Sequence, residues 1–105
     1  VLWVIGGFWL VAYAAIIPTV LVTFVKVGTT YLCHMNVGYR NYQIKDRSTN
    51  IWWWALLDFG EGLHNNHHAD PSRWNLRDKW FEVDISGLVI KYLLRKNEAP
   101  IGRAV

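Results

Sequence analysis

The sequence predicts an all-α integral membrane protein in which a kinked transmembrane helix runs into a helical cytosolic or interfacial region. Two observations lead to this prediction. No charged residue occurs between Val1 and Val25, whereas all eight acidic residues lie at Asp46 or later. The polar remainder contains only short apolar and Trp-rich stretches, none of which is long enough to span a membrane.

The first predicted element is a transmembrane helix in residues 1–35, which runs into the cytosolic region near Met35. Phe8–Val25 alone supplies about 18 uncharged residues, or ~27 Å of helix at ~1.5 Å per residue, close to the ~30 Å hydrocarbon core of a bilayer. A cleaved signal peptide is disfavoured because no positive segment precedes the apolar stretch and no small-residue cleavage site follows it.

Two features should distort this helix. Gly6 and Gly7 mark the end of an earlier element, so residues 1–7 are interpreted as the stub of a preceding span. Pro18 lies in the middle of the span and lacks the backbone N–H that would continue the helical ladder. We therefore expect a kink at Pro18, which membrane helices tolerate when neighbouring groups satisfy the freed carbonyl.

Residues 36–96 are predicted to form a helical cytosolic or interfacial part that carries the histidine cluster described below. Trp52–Trp54 adjoin a short apolar run, and indole rings are enriched at the membrane–water interface; the alternative is a buried core helix. Asp70-Pro71 should end the histidine-bearing helix. Lys79–Arg95 has the apolar spacing of a helix that lies on the membrane or on the domain's own core. Residues 97–105 are expected to be a tail.

The charge pattern bears on topology and on the classes of partner. The net charge is +3, and no run of Lys and Arg indicates a nucleic-acid site. Of the eleven basic residues only Lys26 lies before position 30, and basic loops that follow an apolar span tend to stay cytoplasmic. The single cysteine, Cys33, excludes an internal disulfide and a Cys-rich zinc module.

The four histidines are the main candidates for chemistry. His64, His67 and His68 are spaced i, i+3 and i+4, so a helix places them on one face. Three converging neutral imidazoles favour a metal site for Fe, Zn, Cu or Ni, whereas clustered imidazolium charges would repel. The alternative is a solvated polar helix face. Spacing alone leaves His34 open between a metal ligand and an interfacial or capping residue.

The acidic residues near the cluster decide which kind of metal site is predicted. Soluble di-iron carboxylate proteins use paired Glu-x-x-His motifs, and here the motif occurs once, at Glu61 and His64. A carboxylate-bridged site is therefore disfavoured. Glu61 and Asp58 are interpreted instead as groups that can orient the imidazole N–H bonds, with ordinary solvated acids as the alternative.

Two stretches carry a family resemblance. CHMNVGYRNY followed by DFGEGLHNNHHADPSRW resembles the third histidine box of membrane fatty-acid desaturases and the segment before it. The most similar subfamily is the delta-9 acyl-CoA desaturase type, bacterial members included, and KWFEVD resembles the segment after the box. The resemblance implies a larger multi-span helical fold and a non-haem centre of two iron ions that uses dioxygen to place a cis double bond in an acyl chain. It also implies an acyl-CoA or acyl-lipid substrate and an electron donor such as cytochrome b5 or a ferredoxin-type protein.

The resemblance assigns metal-ligand roles to the four histidines. The third box corresponds to His64, His67 and His68, and the single histidine that precedes the box corresponds to His34. Thr30 stands where the family usually has an asparagine that binds metal through water, and a Thr hydroxyl can still hold a water. Leu63 replaces the usual aromatic residue. The first two boxes are absent, so we expect a C-terminal fragment that carries about half of the site and is inactive alone.

Four basic residues are candidates for partner contacts. Arg40, in the GYRNY match, either meets a phosphate of the acyl carrier or steadies the local fold, and the structural role is favoured. The cations of Arg73, Arg77 and Lys79 are candidates for docking an acidic electron donor, or they form a solvated basic face.

Three other functions are retained as alternatives. A hydroxylase or ketolase of the same histidine-box superfamily would use the same metals. A membrane-anchored protein without catalysis would hold one zinc ion with four histidines. A purely structural anchor would carry an incidental cluster. The expected location is the bacterial inner membrane or the endoplasmic reticulum, with the histidine box on the cytoplasmic side.

Overall fold

The computed structural model describes residues Val1–Leu94, which are helical and contain no extended strand. The predictions for residues 95–105, including the tail at 97–105, lie outside the described residues. The α-helices are α1 (Leu2–Val11), α2 (Ile17–Leu32), α3 (Trp52–Ala55), α4 (His64–Ala69) and α5 (Ile85–Val89), and π-helical segments occupy Ala12–Ile16 and Ile90–Leu94.

One continuous run, Trp3–Leu32, is long and apolar enough to cross a membrane by length and composition. It has 30 residues and a mean hydropathy of 2.2, and 6% of its most apolar window is buried by the rest of the described chain. The helix therefore presents almost its whole surface outward. This finding agrees with the single long apolar helix that the sequence predicts.

Two distortions occur in this run. Gly7 has φ 61° and ψ −157°, which interrupts α1 in a conformation that favours glycine. The π-helical segment Ala12–Ile16 directly precedes α2, whose second residue is Pro18. Pro18 has no N–H to donate, so the hydrogen-bond ladder changes register just before it. The structure thus shows a change of helix type before Pro18, and the kink expected at Pro18 stays a prediction.

The helix α2 ends earlier than the sequence predicts. It stops at Leu32 rather than at about Met35, and Asn36 has a left-handed φ of 59°. The carbonyl of Cys33 is occupied by the N–H and the hydroxyl of Thr49, at 2.8 and 3.0 Å. This long-range cap terminates the helix, so the residues after Leu32 form a tight turn.

The connection after this turn is docked onto the rest of the domain. Tyr39 and Asn50 exchange backbone hydrogen bonds of 3.0 and 2.6 Å, and Ile51 N–H donates to the carbonyl of Gly62 at 2.8 Å. Gly38 has φ 94°, and a Cβ there would collide with the carbonyl oxygen of Asn50. Glycine at this position therefore permits the close pairing that brings the connection beside α4.

The interior around α4 is more polar than apolar. The buried apolar side chains are few, and Ala55, Leu63 and Leu76 form one cluster. Buried polar residues outnumber them in this region and include Ser48, Thr49, Asn50, Asn65, Asn66, Glu82 and Asp84. Hydrogen bonds, rather than a large apolar core, therefore define the position of the histidine-bearing helix.

The helix predicted at Lys79–Arg95 is wrong in its first part. Residues 79–84 are not helical, because the carboxylate of Glu82 folds back to accept the N–H of Asp78 and Lys79 at 2.6 and 2.8 Å. The helix begins at Ile85, after Asp84, whose side chain caps it by accepting the N–H of Gly87 at 2.8 Å.

The Trp triplet also forms a shorter helix than its apolar run suggests. Trp52 and Trp53 are about half exposed, at 47% and 48%. Trp54 turns inward, and its indole N–H donates to the hydroxyl of Thr29 on α2 at 2.8 Å. The triplet therefore combines an exposed aromatic face with one ring that fastens α3 to the long helix.

Candidate metal centre

Three of the four histidines converge. One nitrogen from each of His34, His64 and His68 lies within 4.8 Å of the others, a spacing at which a single ion can bind all three. The ring centroids are 5.1 Å apart for His34 and His64, 5.3 Å for His34 and His68, and 4.4 Å for His64 and His68. We call His34, His64 and His68 the histidine triad.

His67 lies beside the triad rather than in it. Its ring is 6.2 Å from that of His64 and 5.8 Å from that of His68. On a helix, residue i+3 is rotated about 100° from residue i+4 around the axis. His64 and His68 therefore stack one turn apart, while His67 occupies the flank of the same helix.

His34 reaches the triad from the turn after α2. The backbone N–H of His34 donates to the backbone carbonyl of Tyr31 at 3.2 Å, which tightens the turn. Spacing left His34 open between two roles, and the turn places its ring against the box histidines. The end of the apolar helix and the histidine box thus contribute to the same cluster.

His64 has the properties of a neutral ligand. Its Nδ1 is buried and has no hydrogen-bond partner among residues 1–94. Burial, followed by the nearby His68, His34 and His67, lowers the pKa of His64 to about 4. A neutral imidazole with an unpartnered buried nitrogen fits a metal ion that accepts a lone pair. The donor set, all imidazole nitrogen, suits iron, zinc, copper or nickel.

His68 is held by a residue that the sequence analysis missed. Its Nδ1 lies 2.6 Å from Oδ2 of Asp46. Desolvation alone would raise the pKa of Asp46, but hydrogen bonds from Ser48 and the neighbouring His68 lower it below its usual value. No local pattern reveals this contact, because Asp46 lies in the polar connection and meets His68 only through the tertiary fold.

Asn65 and Asn66, between the histidines of α4, are buried and form hydrogen bonds with the surrounding loops. Asn65 accepts the backbone N–H of Asn41 and of Tyr42 at 2.9 and 2.8 Å and donates to the carbonyl of Tyr42 at 3.0 Å. Asn66 accepts the side-chain amide of Asn50 at 2.7 Å. In the segment His64–His68, the asparagines therefore face the scaffold while the histidines face the opposite side.

Glu82 is the second residue that the sequence analysis missed. Its carboxylate is fully buried and accepts five hydrogen bonds. The hydroxyl of Tyr39 donates at 2.7 Å and the amide of Asn66 at 3.2 Å. The other donors are the Asn41 amide and the N–H groups of Asp78 and Lys79. The only sequence signal was the KWFEVD resemblance, which did not indicate a buried acid.

Three residues were proposed to hold a water at the metal or to orient the histidines, namely Thr30, Asp58 and Glu61, and their surroundings differ. Thr30 lines the same cavity as His64, and its hydroxyl donates to the carbonyl of Lys26 at 3.2 Å. Asp58 is buried and accepts the Thr29 hydroxyl at 2.6 Å and the Gly62 N–H at 2.9 Å. These bonds direct Asp58 to the scaffold.

Glu61 is exposed and lines the cavity with His64. The cavity has a volume of about 500 Å³ and lies between α2 and the segment before α4. Its lining is mixed: the apolar residues are Leu21, Val22, Val25, Leu57 and Phe59, and the polar ones are Lys26, Thr29, Thr30, Asp58, Glu61 and His64. The cavity thus joins an apolar helix surface to a histidine of the triad.

The four candidate basic residues divide into engaged and accessible groups. Arg40 donates to the carbonyls of Tyr42 and Ile44. Arg73 forms an ion pair of 2.9 Å with Asp78, so its charge is largely neutralised locally.

Arg77 and Lys79 are exposed. The guanidinium of Arg77 donates to the carbonyl of Trp80 at 3.1 Å. The ammonium of Lys79 lies 4.9 Å from the ring centroid of Tyr39. Both cations remain accessible to a partner at the surface.

Comparisons with known proteins bear on this arrangement. A family model described as fatty acid desaturase matches residues 1–84. An sn-1 stearoyl-lipid 9-desaturase of Anabaena variabilis is 50% identical over 56 residues, which cover 53% of this chain and 21% of that protein. An enzyme of the same name from Synechocystis sp. is 37% identical over 93 residues, covering 89% and 29%. Delta-9 acyl-lipid desaturase 2 of Arabidopsis thaliana is 33% identical over 91 residues, covering 87% and 29%.

Each match covers more than half of this chain but less than a third of the relative. The chain spans between about a fifth and three tenths of the length of these curated relatives. No solved structure matches it significantly.

Proposed function

The chain belongs to the fatty acid desaturase family, and from this premise we propose that it is part of an oxygen-dependent desaturase that introduces a cis double bond into an acyl chain. The relatives' names support the delta-9 position and a lipid-linked acyl substrate, with acyl-CoA as the other carrier. The enzyme would be an oxidoreductase of lipid metabolism.

We propose that the triad and His67 supply ligands to a non-haem di-iron centre. The observation that carries this proposal is the convergence of His34, His64 and His68, with a buried and unpartnered nitrogen on His64. His67 lies close enough on the flank of α4 to serve a second ion. When bound, such a centre supplies the activation of dioxygen that side chains alone lack. Thr30, in the same cavity, is a candidate for holding a water beside the metal.

Four histidines are too few for two iron ions held entirely by nitrogen. The remaining ligands would come from a part of the protein that this chain does not contain. We therefore expect that the 105 residues alone neither assemble the complete centre nor turn over. The triad contributes one side of the site.

We propose that Trp3–Leu32 spans the membrane. A core helix of a soluble domain is mostly buried, whereas 6% of this helix's most apolar window is buried. The basic residues that follow the span support a cytoplasmic position for the histidine box. The membrane would be the inner membrane in bacteria or the endoplasmic reticulum in eukaryotes.

The cavity beside His64 is a candidate for the acyl chain. Its apolar lining residues suit a hydrocarbon, and its polar lining includes Lys26, Glu61 and His64. An acyl chain in this cavity would pass from the apolar helix surface toward the triad. Holding one carbon pair beside the metal is a strict requirement, because small misplacements reduce the rate severely.

We propose that an acidic electron donor, cytochrome b5 or a ferredoxin-type protein, docks near Arg77 and Lys79, whose charges are accessible. Arg73 is a weaker candidate because Asp78 neutralises it. Charge reversal at Arg77 and Lys79 should slow electron transfer, with a dependence on salt. An unchanged rate would eliminate this docking surface.

The decisive experiment uses the full-length protein that contains this chain, purified from membranes with its lipids. Metal analysis and product analysis are measured together. About two irons per chain and a cis-unsaturated acyl product support the proposal. A hydroxylated product would indicate a hydroxylase or ketolase, and one zinc without turnover would indicate a metal-binding protein. Undiminished activity with alanine at all four histidines would leave only a structural anchor role for the cluster.

A further inference from the structure

The contact between Asp46 and His68 joins two parts of the chain that are 22 residues apart. Oδ2 of Asp46 lies 2.6 Å from Nδ1 of His68. Oδ1 of the same carboxylate accepts the N–H of Ser48 at 2.8 Å and its hydroxyl at 2.5 Å. Both oxygens are therefore engaged, and the direction of the carboxylate is fixed.

The loop that carries Asp46 is itself anchored on the box helix. Asn65 accepts the backbone N–H groups of Asn41 and Tyr42, and Arg40 donates to the carbonyl of Ile44 at 2.8 Å. Beyond Asp46, the Thr49 N–H donates to the Cys33 carbonyl, next to His34. The carboxylate thus reaches His68 from a docked segment.

We propose that Asp46 is a positioning residue that fixes the tautomer and the orientation of His68, an inference that rests on the proposed function. The carboxylate is an acceptor, so it takes the Nδ1–H of the neutral ring and leaves the Nε2 lone pair for the metal. Partners of this kind typically hold metal-binding imidazoles in place. A role in stabilising the fold is disfavoured. The side chains of His68 and Asp46 are 32% and 37% exposed, and ion pairs this exposed add little to stability.

The side chains available at position 46 separate the two roles. In Asp46→Asn, the Ser48 N–H retains the amide oxygen, so the amide nitrogen faces Nδ1 of His68. Nδ1 must then accept, which moves the ring proton to Nε2 and removes the nitrogen that would bind the metal. Asp46→Ala removes the partner but leaves His68 free to adopt either tautomer.

The expected order of iron affinity is therefore wild type, then Asp46→Ala, then Asp46→Asn. A structural role gives the opposite order for the variants, because Asn preserves the shape and the bonds to Ser48. The matched control is Asp70→Asn. Asp70 forms the same turn with Ser72, at 3.1 Å for the N–H and 2.5 Å for the hydroxyl, and its carboxylate faces Ser72 rather than an imidazole.

The experiment is a chelator titration of the full-length protein, with iron per chain, Mössbauer spectra and thermal melting measured on each variant. We expect Asp46→Ala to weaken iron binding by about 10- to 100-fold, Asp46→Asn to weaken it further with a changed quadrupole splitting, and Asp70→Asn to match wild type. In the metal-free form, where iron binding does not contribute to stability, all three variants should melt near the wild-type temperature.

Four outcomes would overturn the inference. Asp46→Asn could retain wild-type iron affinity, or it could bind better than Asp46→Ala. Both Asp46 variants could instead melt far below wild type and Asp70→Asn in the metal-free form, which would assign Asp46 to the fold. A wild-type protein that binds no iron would refute the proposed function as well. A wild type with about two irons and unaffected Asp46 variants would refute the positioning role alone.

Discussion

Replacing Glu82 with glutamine tests whether the buried polar network holds the histidine box in place. All five partners of the Glu82 carboxylate are donors, and two act on Oε1 while three act on Oε2. Glutamine has one acceptor oxygen and one donor nitrogen. Its nitrogen must therefore face some of the donors that the carboxylate accepted.

The magnitude follows from the better of the two amide orientations. With the amide oxygen toward Asp78 and Lys79, the amide nitrogen faces Tyr39 and Asn41. The hydroxyl of Tyr39 can rotate to accept, but the side-chain amide of Asn41 loses this bond and retains only its bond to Asn66. One charge-assisted bond is lost and four become neutral, so we expect a destabilisation of about 2–3 kcal/mol. Glu82→Ala removes every acceptor and should destabilise by ~5 kcal/mol or more.

The assay is thermal unfolding of the purified full-length protein in detergent, followed by iron content. At ~2–4 °C per kcal/mol for a protein of this size class, Glu82→Gln should lower the Tm by about 5–10 °C. Glu61→Gln is the stability control, because Glu61 is exposed and its loss should change the Tm by less than about 2 °C. A Glu82→Gln protein with the wild-type Tm would refute the argument that this network stabilises the box.

Three further predictions concern the same scaffold. Burial, followed by the charge of Asp58, raises the pKa of Cys33 to about 12. A maleimide at pH 8 should therefore leave the folded protein unlabelled and react after denaturation, and rapid labelling of the native protein would contradict the buried position. Asp58→Ala leaves the Gly62 N–H without its acceptor, while the Thr29 hydroxyl can still donate to the carbonyl of Val25 at 2.9 Å. We expect a destabilisation of ~1–3 kcal/mol, whereas full stability in a denaturant titration would show that water replaces the carboxylate. Gly38→Ala introduces a clash with the Asn50 carbonyl at a left-handed φ. This variant should fail to fold or have a Tm lower by at least ~10 °C. A wild-type melting curve would exclude the close pairing of Tyr39 with Asn50.

The sequence predicted the elements whose signals are local. The uncharged stretch predicted the long apolar helix, and the i, i+3, i+4 spacing predicted a histidine-bearing helix, which is α4. Local signals failed where a distant group intervenes. Thr49 occupies the Cys33 carbonyl and ends α2. Tyr39 and Asn66, which are distant in sequence, hold the Glu82 carboxylate, and this carboxylate accepts the N–H groups of residues 78 and 79 where a helix was predicted.

The same distinction applies to the site. Helical spacing places His64 and His68 together but does not show that His67 stands aside from the triad or that His34 joins it. Asp46 and Glu82 were overlooked because an acidic residue in a polar segment is predicted to be exposed to solvent. Its hydrogen-bond partners become known only from the tertiary structure. Periodicity reports which face a residue occupies, whereas the identity of its neighbours depends on how the loops dock.

The length of α4 explains why its asparagines are buried. A helix of six residues is far too short to persist alone, because nucleation is unfavourable and few backbone bonds repay it. Its position must come from tertiary contacts. The histidine face provides the contact between His68 and Asp46, but this pair is partly exposed and adds little to stability. Asn65 and Asn66 supply those contacts from the opposite face, to the 41–42 loop and to Glu82. The motif HNNHH therefore combines two requirements in five residues: imidazoles on one side for the metal, and carboxamides on the other that fix where those imidazoles point.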